Sequence, residues 1–445
     1  MKKKLLLAMA VLGAAAWQGA NAIVLKANDN EFANVGLELQ IWAQNDGKVT
    51  NNDQTSNNFS INNARVYFSG EINPIVQFGA DLDFADNGTL AADGTARHHQ
   101  GTSYTRVTDA FINFKFMPEV QLMAGLFRDP VSRLSNTDEY TYVIPTGFGY
   151  GFDTVWSHIT NDANGVDSTI NGTNYALDNL LNPFTPITLG GDVQNANRDA
   201  GIAIWGNVAD TMLKYYLFAA NGAYDYQALP GGLNGKGNLK YGIRVEFTPT
   251  MLGYKNSSGF VDQDTFLGAL NNLTIGLGYE QQKLDTPSVF GSSSLTPKYY
   301  DVDANWEQKF GTFVPQIQLG WAEKKDLMAT SYGNVKSDGY YVQLAGLYDQ
   351  VVGLGKPGIA FRWENSKVDN ADFSNFCSSS GVCGLDLGGQ SGKINRYSIF
   401  VNYYIAGEAA KMSLGADIVD PNSTLKNAYN GKSFTDWTLA LQTEF

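Results

Sequence analysis

Charged residues recur at every second position in several segments whose other positions are apolar. Asp301 and Asp303 flank Val302, and Asp81 and Asp83 follow the same pattern. Successive side chains of a β-strand point to opposite faces of the sheet, so this spacing places the charges on one wet face. Charges along a wet surface attract or repel dissolved ions, which is the chemistry of solute selection.

Bond-making chemistry has no comparable support in the sequence. The chain has three histidines, His98, His99 and His158. A hydrolase would need one of them beside a nucleophile and an orienting carboxylate or amide, and no motif provides that arrangement. The sequence therefore predicts a protein that is not an enzyme and that carries no cofactor or metal ion.

The elements that position the charges are predicted to be membrane-crossing strands. A period-2 pattern recurs in sixteen segments, most of them close to the roughly 9 to 11 residues that a tilted strand needs to cross a bilayer. These segments are 34–44, 59–71, 74–85, 105–116, 119–128, 198–207, 211–220, 238–248, 271–282, 297–309, 313–323, 337–349, 357–368, 394–405, 409–420 and 434–445. The last one ends on Phe445, and an aromatic end residue resembles the signal that delivers outer-membrane barrels to their assembly machinery.

The links between the predicted strands alternate between long and short. The odd-numbered links, such as 324–336, are long and rich in Asn, Asp, Gly and Ser, whereas most even-numbered links are tight turns. Long loops outside and short turns inside are expected of an outer-membrane barrel. Link 249–270 breaks this rule, so a strand count of fourteen or eighteen remains an alternative. The pattern predicts an all-β, antiparallel transmembrane barrel of about sixteen strands over residues 23–445.

The third link, 129–197, is predicted to have a special role. It has roughly seventy residues, and loops of that length are usually functional or disordered. Aromatic residues such as Tyr140, Phe148 and Trp156 argue against disorder. We interpret the link as the third extracellular loop, folded into the barrel as a constriction; a surface cap is the alternative.

The ends and the composition of the chain indicate export. Residues 1–22 are predicted to be a signal peptide, with three lysines, an apolar stretch and the cleavage site Ala20-Asn21-Ala22. In an oxidising compartment, Cys377 and Cys383 are predicted to form a disulfide that closes a short loop.

The formal charge of the chain is -13, or -16 without the signal lysines. A charge of this sign argues against nucleic acid as a partner.

Four short motifs fit one known family. They are Val107-Thr-Asp-Ala-Phe-Ile-Asn-Phe114, Met123-Ala-Gly-Leu-Phe-Arg-Asp-Pro130, Arg198-Asp-Ala-Gly-Ile202, and the pair Lys214-Tyr-Tyr216 and Ala220-Asn-Gly222 that ends one strand. Together they resemble the phosphate-selective porin O/P family, although Leu126 and Val131 stand where that family usually has Gln and Phe. The resemblance implies a homotrimer of sixteen-stranded barrels, each with its own pore.

The balance of charges bears on which solutes such a pore accepts. Phosphate selectivity would need cations that converge on the narrowest point. Carboxylates also occur on the inward faces, and Arg65 lies opposite Asp81 and Asp83 of the next strand, which would occupy its donors. The 129–197 link carries eight carboxylates and one cation, Arg133, a balance that would repel phosphate. The predicted pore-lining residues are Arg65, Asp81, Asp83, Asp109, Lys115, Arg128, Arg133, Lys214, Arg244, Asp301, Asp303, Arg362 and Arg396.

These observations predict a porin in the outer membrane, surrounded by lipid, that lets small hydrophilic solutes or ions diffuse passively. A phosphate- or anion-selective porin is one alternative. A barrel that sheathes or anchors another envelope protein is the other. The chain has no C-x-x-C-H haem site, so a role as an electron conduit would depend wholly on a partner.

Overall fold

Sixteen strands form one closed antiparallel barrel within the part of the chain that the structure describes. The computed structural model describes residues 23–28, 31–51, 53–85, 105–161, 169–170, 173–174, 180–187, 197–222, 238–284, 294–372 and 386–445. Each strand pairs with the next, and β16 pairs back to residues 38–45 of β1. The strands are β1 Glu31–Asp46, β2 Ser56–Asn73, β3 Val76–Asp83, β4 Arg106–Met117, β5 Val120–Arg128, β6 Arg198–Val208, β7 Leu213–Ala220, β8 Lys240–Phe247, β9 Asn272–Gln282, β10 Lys298–Glu307, β11 Phe313–Thr330, β12 Gly333–Tyr348, β13 Lys356–Asp369, β14 Gly392–Tyr404, β15 Ala410–Pro421 and β16 Phe434–Glu444. The predicted barrel is confirmed.

The two faces of each strand have opposite surroundings. On β14, for example, Ile399 and Val401 are exposed on the outer face, whereas Ser398, Phe400 and Asn402 on the inner face are buried. An outer face of exposed apolar side chains suits lipid, and an inner face with polar side chains suits a wet lumen. The period-2 pattern therefore arises because one face of each strand meets lipid and the other meets water.

One predicted loop is wrong. β11 continues to Thr330 and β12 begins at Gly333, so the predicted link 324–336 is a tight turn at the tip of a long hairpin. The hairpin ends carry charged residues such as Glu323 and Lys325, which form an ion pair at 2.8 Å. A strand that extends beyond the bilayer has water on both faces and loses its apolar alternation, so the pattern resembled that of a loop.

An additional strand, Ile23–Asn28, pairs with the beginning of β1. Ile23 pairs with Val35, and the backbone N–H of Phe445 donates to the oxygen of Leu37 at 2.9 Å. The first described strand and the last strand therefore lie end to end along the same edge of β1. The sequence pattern did not predict this strand.

The described part of the third link contains several short elements. Helix α1 spans Arg133–Asn136, a 3-10 turn spans Glu139–Thr141 and helix α2 spans Tyr150–Asn161. Outside this link, α3 spans Ser423–Ala428 between β15 and β16. No helix in these described ranges is long and apolar enough to cross a membrane.

The link that broke the alternation of long and short connections does not change the strand count. It joins β8 to β9, and we call its residues 248–271 the β8–β9 link. A 3-10 turn occupies Thr250–Leu252, and Asp262–Gln263 pairs in parallel with Thr137–Asp138 of the third link. Links from opposite ends of the barrel therefore meet by backbone pairing.

Two sequence-based predictions concern residues outside the described ranges. They are the signal peptide at 1–22 and the disulfide between Cys377 and Cys383.

Candidate functional site: the charged lumen

The predicted pore-lining residues lie toward the barrel interior on nine strands and on helix α1. Eleven of these thirteen side chains are buried, and Asp81 and Lys115 are partly exposed. The strands are β2 for Arg65, β3 for Asp81 and Asp83, β4 for Asp109 and Lys115, β5 for Arg128, β7 for Lys214, β8 for Arg244, β10 for Asp301 and Asp303, β13 for Arg362 and β14 for Arg396, while α1 holds Arg133. Most of their charges belong to three groups of ion pairs.

The first group joins β8 to β10. The guanidinium of Arg244 binds Asp303 at 2.6 Å, Glu246 at 3.0 Å and Asp301 at 3.3 Å. The backbone N–H of Arg133 donates to Asp303 at 3.2 Å. The three carboxylates around Arg244 and the arginine itself are buried, so this group braces the wall and the root of the third link.

The second group fixes the third link against β13, β14 and β15. Arg396 forms ion pairs with Asp417 at 2.8 Å and with Glu364 at 2.9 Å, and it donates to the backbone oxygen of Gly147 at 2.6 Å. The guanidinium of Arg362 lies 3.9 Å from the ring centre of Phe148. Both arginines thus contact residues of the third link.

Apolar contacts support the same placement of the third link. Phe152, Val155 and Trp156 of α2 are buried in one cluster with Ile394 of β14 and Val419 of β15. Burial of a large side chain contributes about 1.5–3 kcal/mol, so three such residues give the helix a firm attachment to the wall.

The third group is centred on Glu139 and is called the Glu139 cluster. Its carboxylate atom Oε1 lies 2.8 Å from Arg65, 3.3 Å from Arg128 and 3.6 Å from Arg198. Burial alone would raise the pKa of Glu139, but the three guanidinium groups outweigh it and hold the pKa well below its usual range. The other members are Glu38, Asp81, Asp83, Arg106, Asp109 and Asp138.

Cross-strand pairs hold the arginines of the Glu139 cluster. Arg65 contacts Asp83 at 3.5 Å, as the sequence predicted, and Glu38 at 3.5 Å. Arg198 contacts Asp109 at 3.0 Å. Arg128 donates to the backbone oxygen of Thr137 at 2.9 Å, so each guanidinium has at least one partner besides Glu139.

The β8–β9 link adds a second layer of contacts inside the barrel. The Asp262 carboxylate pairs with Lys214 at 3.3 Å, and the backbone oxygen of Phe260 accepts from the Tyr216 hydroxyl at 2.8 Å. Burial raises the pKa of Asp264, while the N–H of Val143 and the nearby guanidinium of Arg133 oppose that rise. The alternation of long and short links makes this segment a possible error in the strand count, but its residues contact inward side chains of the barrel.

Inward side chains differ in exposure around the barrel. Among the described residues, those on β7 to β15 are almost all buried, whereas several on β1 to β4 are partly exposed. The partly exposed set includes Asn34, Glu38, Ser69, Glu71, Gln77, Asp81, Arg106 and Lys115. Water therefore has access mainly along the β1–β4 wall.

The sequence analysis missed the central members of the Glu139 cluster. In the sequence, Arg198 belongs to a family motif, and Glu139 is one of the eight acidic residues of the third link. Periodicity can assign a strand residue to a face, but it carries no information on where a link residue points. No sequence signal identifies Glu139 as the meeting point of three arginines.

Comparison with known proteins agrees with this architecture. The family described as phosphate-selective porin O and P matches residues 34–148, which confirms the predicted resemblance over that segment. No curated protein matches the chain.

Three solved structures share the fold. The outer membrane channel DcaP of Acinetobacter baumannii has a TM-score of 0.52 at 9% identity, covering 95% of this chain and 99% of that one. OprB of Pseudomonas putida has a TM-score of 0.53 at 10% identity, with coverage of 93% and 94%. OmpF of Salmonella typhi, in complex with daunomycin, has a TM-score of 0.51 at 12% identity, with coverage of 95% and 100%.

The closed barrel with an apolar outer face and a charged lumen defines a transmembrane protein of the porin class. With the match to the porin O and P family, the protein is an outer-membrane porin, a channel and not an enzyme.

Proposed function

We propose that this porin lets small hydrophilic solutes diffuse passively along the β1–β4 wall, with a preference for cations. The third link acts as the constriction. Its described residues pack against the inner faces of β13 to β15, and with the β8–β9 link they fill that side of the lumen. The remaining water-accessible passage leads to the Glu139 cluster.

The cation preference rests on which charges remain accessible at that cluster. The exposed side-chain fractions are 36% for Asp138 and 20% for Glu139, against 3% for Arg65, 6% for Arg128 and 2% for Arg198. Arg106, at 18%, is the one cation of the cluster that is similarly exposed. A solute therefore meets carboxylates first, and a negative potential at a constriction favours cations.

Planar-bilayer recordings test this function. The purified protein is expected to give discrete openings. Under a KCl gradient, the reversal potential should have the sign expected for a channel that passes K⁺ more readily than Cl⁻. Added inorganic phosphate should leave the current unchanged. Absence of conductance would contradict the channel, whereas anion selectivity with phosphate block would contradict only the cation preference.

A phosphate-selective channel is the second candidate. It is favoured by the family match over residues 34–148 and by four arginines, Arg65, Arg106, Arg128 and Arg198, near one constriction. Against it, each of these arginines has a carboxylate partner within 4 Å. The phosphate titration separates the two candidates.

A homotrimer also belongs to the proposal. It is supported by the resemblance to the porin O/P family, which implies three barrels with separate pores. Chemical crosslinking of the protein in native outer membranes should give a ladder that stops at three chains. A single crosslinked band at two chains, or monomers alone, would contradict the trimer.

Export and assembly complete the proposal. Residues 1–22 would be removed as a signal peptide, Cys377 and Cys383 would form a disulfide, and Phe445 would act as the barrel-assembly signal. Intact-mass measurement with and without reduction before thiol alkylation tests the first two. The expected mass corresponds to a chain that begins at Ile23 and takes up alkyl groups only after reduction.

A further inference from the structure

We propose that Arg65, Arg128 and Arg198 form an oxyanion-binding site that the third link fills with its own carboxylate, Glu139. Glu139 thereby sets the sign of the charge selectivity. This inference rests on the proposed channel function. The ligand class is a carboxylate or phosphate group.

The three arginines converge from three different strands on one oxygen atom. Arg65 lies on β2, Arg128 at the end of β5 and Arg198 at the beginning of β6, where it pairs with Arg128 across the two strands. Their distances to Glu139 Oε1 are 2.8, 3.3 and 3.6 Å. Strands position side chains more rigidly than loops do, so the cationic part of the site is preorganised.

The arginines have supports that do not involve Glu139. Arg65 contacts Asp83 at 3.5 Å, Arg198 contacts Asp109 at 3.0 Å, and Arg128 donates to the backbone oxygen of Thr137 at 2.9 Å. These contacts would hold the three guanidinium groups in place if the Glu139 carboxylate were replaced. The cationic site would then be left without its central anion.

Guanidinium groups suit oxyanions because their planar forks match the oxygen atoms of carboxylate and phosphate. Glu139 is tethered to the site by the chain, so its effective concentration there is high and a dissolved anion competes poorly. Glu139 is also more exposed than the three arginines, with 20% of its side chain accessible.

Reversal potentials provide the first test. Glu139→Gln keeps the size of the side chain and removes its charge, so the cation-over-anion permeability ratio should fall by about fivefold, given one elementary charge about 6 Å from the passing ion in screened water. The current through E139Q should become sensitive to inorganic phosphate. A wild-type protein that conducts, together with an unchanged ratio in E139Q, would overturn the inference and leave the channel function intact.

Ligand-dependent stability provides a test that needs no conductance. In detergent, the unfolding temperature of Glu139→Ala should rise with added phosphate and with added acetate, at constant ionic strength set by chloride, because a ligand that binds only the folded state stabilises it. The wild-type protein should show no such rise. If E139A does not fold, E139Q serves in the same titration.

Asp138→Asn is the matched control. Asp138 neighbours Glu139 in the chain and lies 3.9 Å from Arg128 alone among the three arginines. D138N removes the same charge from the same link, yet phosphate should not stabilise it. A response to phosphate but not acetate would identify phosphate as the ligand. Equal stabilisation of D138N and E139A would show a nonspecific charge effect and overturn the site.

Discussion

A Cβ atom added to Gly278 would stand 1.7 Å from the backbone oxygen of Val131. Gly278 lies on β9, and Val131 lies just after the end of β5, at the root of the third link. The absence of a side chain at Gly278 thus allows the backbone of the link to rest directly on the barrel wall. The contact between the root of the link and the wall depends on this close approach.

Replacing Gly278 by Ala should push the root of the third link away from the wall. We expect a loss of about 1–3 kcal/mol in the free energy of unfolding, the usual cost of overpacking. Equilibrium unfolding in detergent measures it. Gly259→Ala is the control, because its Cβ would lie 3.6 Å from the nearest atom and should cost almost nothing. Equal stability of the two variants would contradict the close contact.

The buried ion pairs of Arg396 should matter far more than pairs at the barrel rim. Arg396→Met would leave the Asp417 carboxylate buried without its arginine and Glu364 with only Arg362 of its two arginines, which should cost on the order of 3–5 kcal/mol. Lys336→Met removes a pair with Asp369 whose lysine is largely exposed, and it should cost less than about 1 kcal/mol. Denaturant unfolding of both variants measures the difference, and similar midpoints would refute it.

Glu408, in the turn between β14 and β15, should make stability depend on pH. Burial raises the pKa of Glu408 from 4.5 to about 7, and Lys411, at 2.6 Å, offsets only part of that effect. Because the folded state holds the proton more tightly than the unfolded state, this group's contribution to stability should fall as pH rises from about 4.5 through about 7. Melting curves of the wild type and Glu408→Gln should diverge across that window, and parallel curves would contradict the raised pKa.

The fold could be predicted because lipid and water impose opposite requirements on alternate residues. Ile399 and Val401 meet lipid, Ser398 and Asn402 face the lumen, and the pattern requires no knowledge of the rest of the chain. The prediction failed at 324–336, where both faces of the hairpin leave the bilayer. Alternation of apolar and polar residues therefore predicts only the part of a strand that lies in the membrane, and not the full length of the strand.

The site could be predicted only in part. Alternation assigned Arg65, Arg244 and Asp303 to the lumen, and neighbouring strands suggested the pair between Arg65 and Asp83. The partner of Arg244 lies two strands away, and the partner common to Arg65, Arg128 and Arg198 lies in a link. Closure of the barrel and the path of the link bring these partners together. Neither leaves a periodic pattern in the sequence.

Phe445 should affect assembly more than stability. Its backbone pairs with Leu37 in both directions, at 2.8 and 2.9 Å, and those bonds do not require an aromatic side chain. The ring itself is exposed. We therefore expect Phe445→Ser to accumulate less in the outer membrane while its purified, refolded barrel unfolds close to wild type. If the amount of F445S in the outer membrane equals that of the wild type, Phe445 is not an assembly signal. Phe310→Ser, an exposed phenylalanine in a short turn, is the control.

Asp264 should control how firmly the β8–β9 link holds the third link. Its carboxylate accepts from the backbone N–H of Val143 at 2.9 Å and from Gln343 at 3.1 Å. Asp264→Ala leaves these buried donors without an acceptor, which costs about 1–3 kcal/mol for each group. The third link should then move more freely, so single-channel current noise should increase.

Asp338→Ala is the matched control for this last prediction, since Asp338 pairs with Lys367 at 3.0 Å and both side chains are partly exposed. Loss of such a pair should change stability by less than about 1 kcal/mol and leave the current noise as in the wild type. If D264A behaves like D338A, the side-chain contacts of Asp264 do not hold the third link.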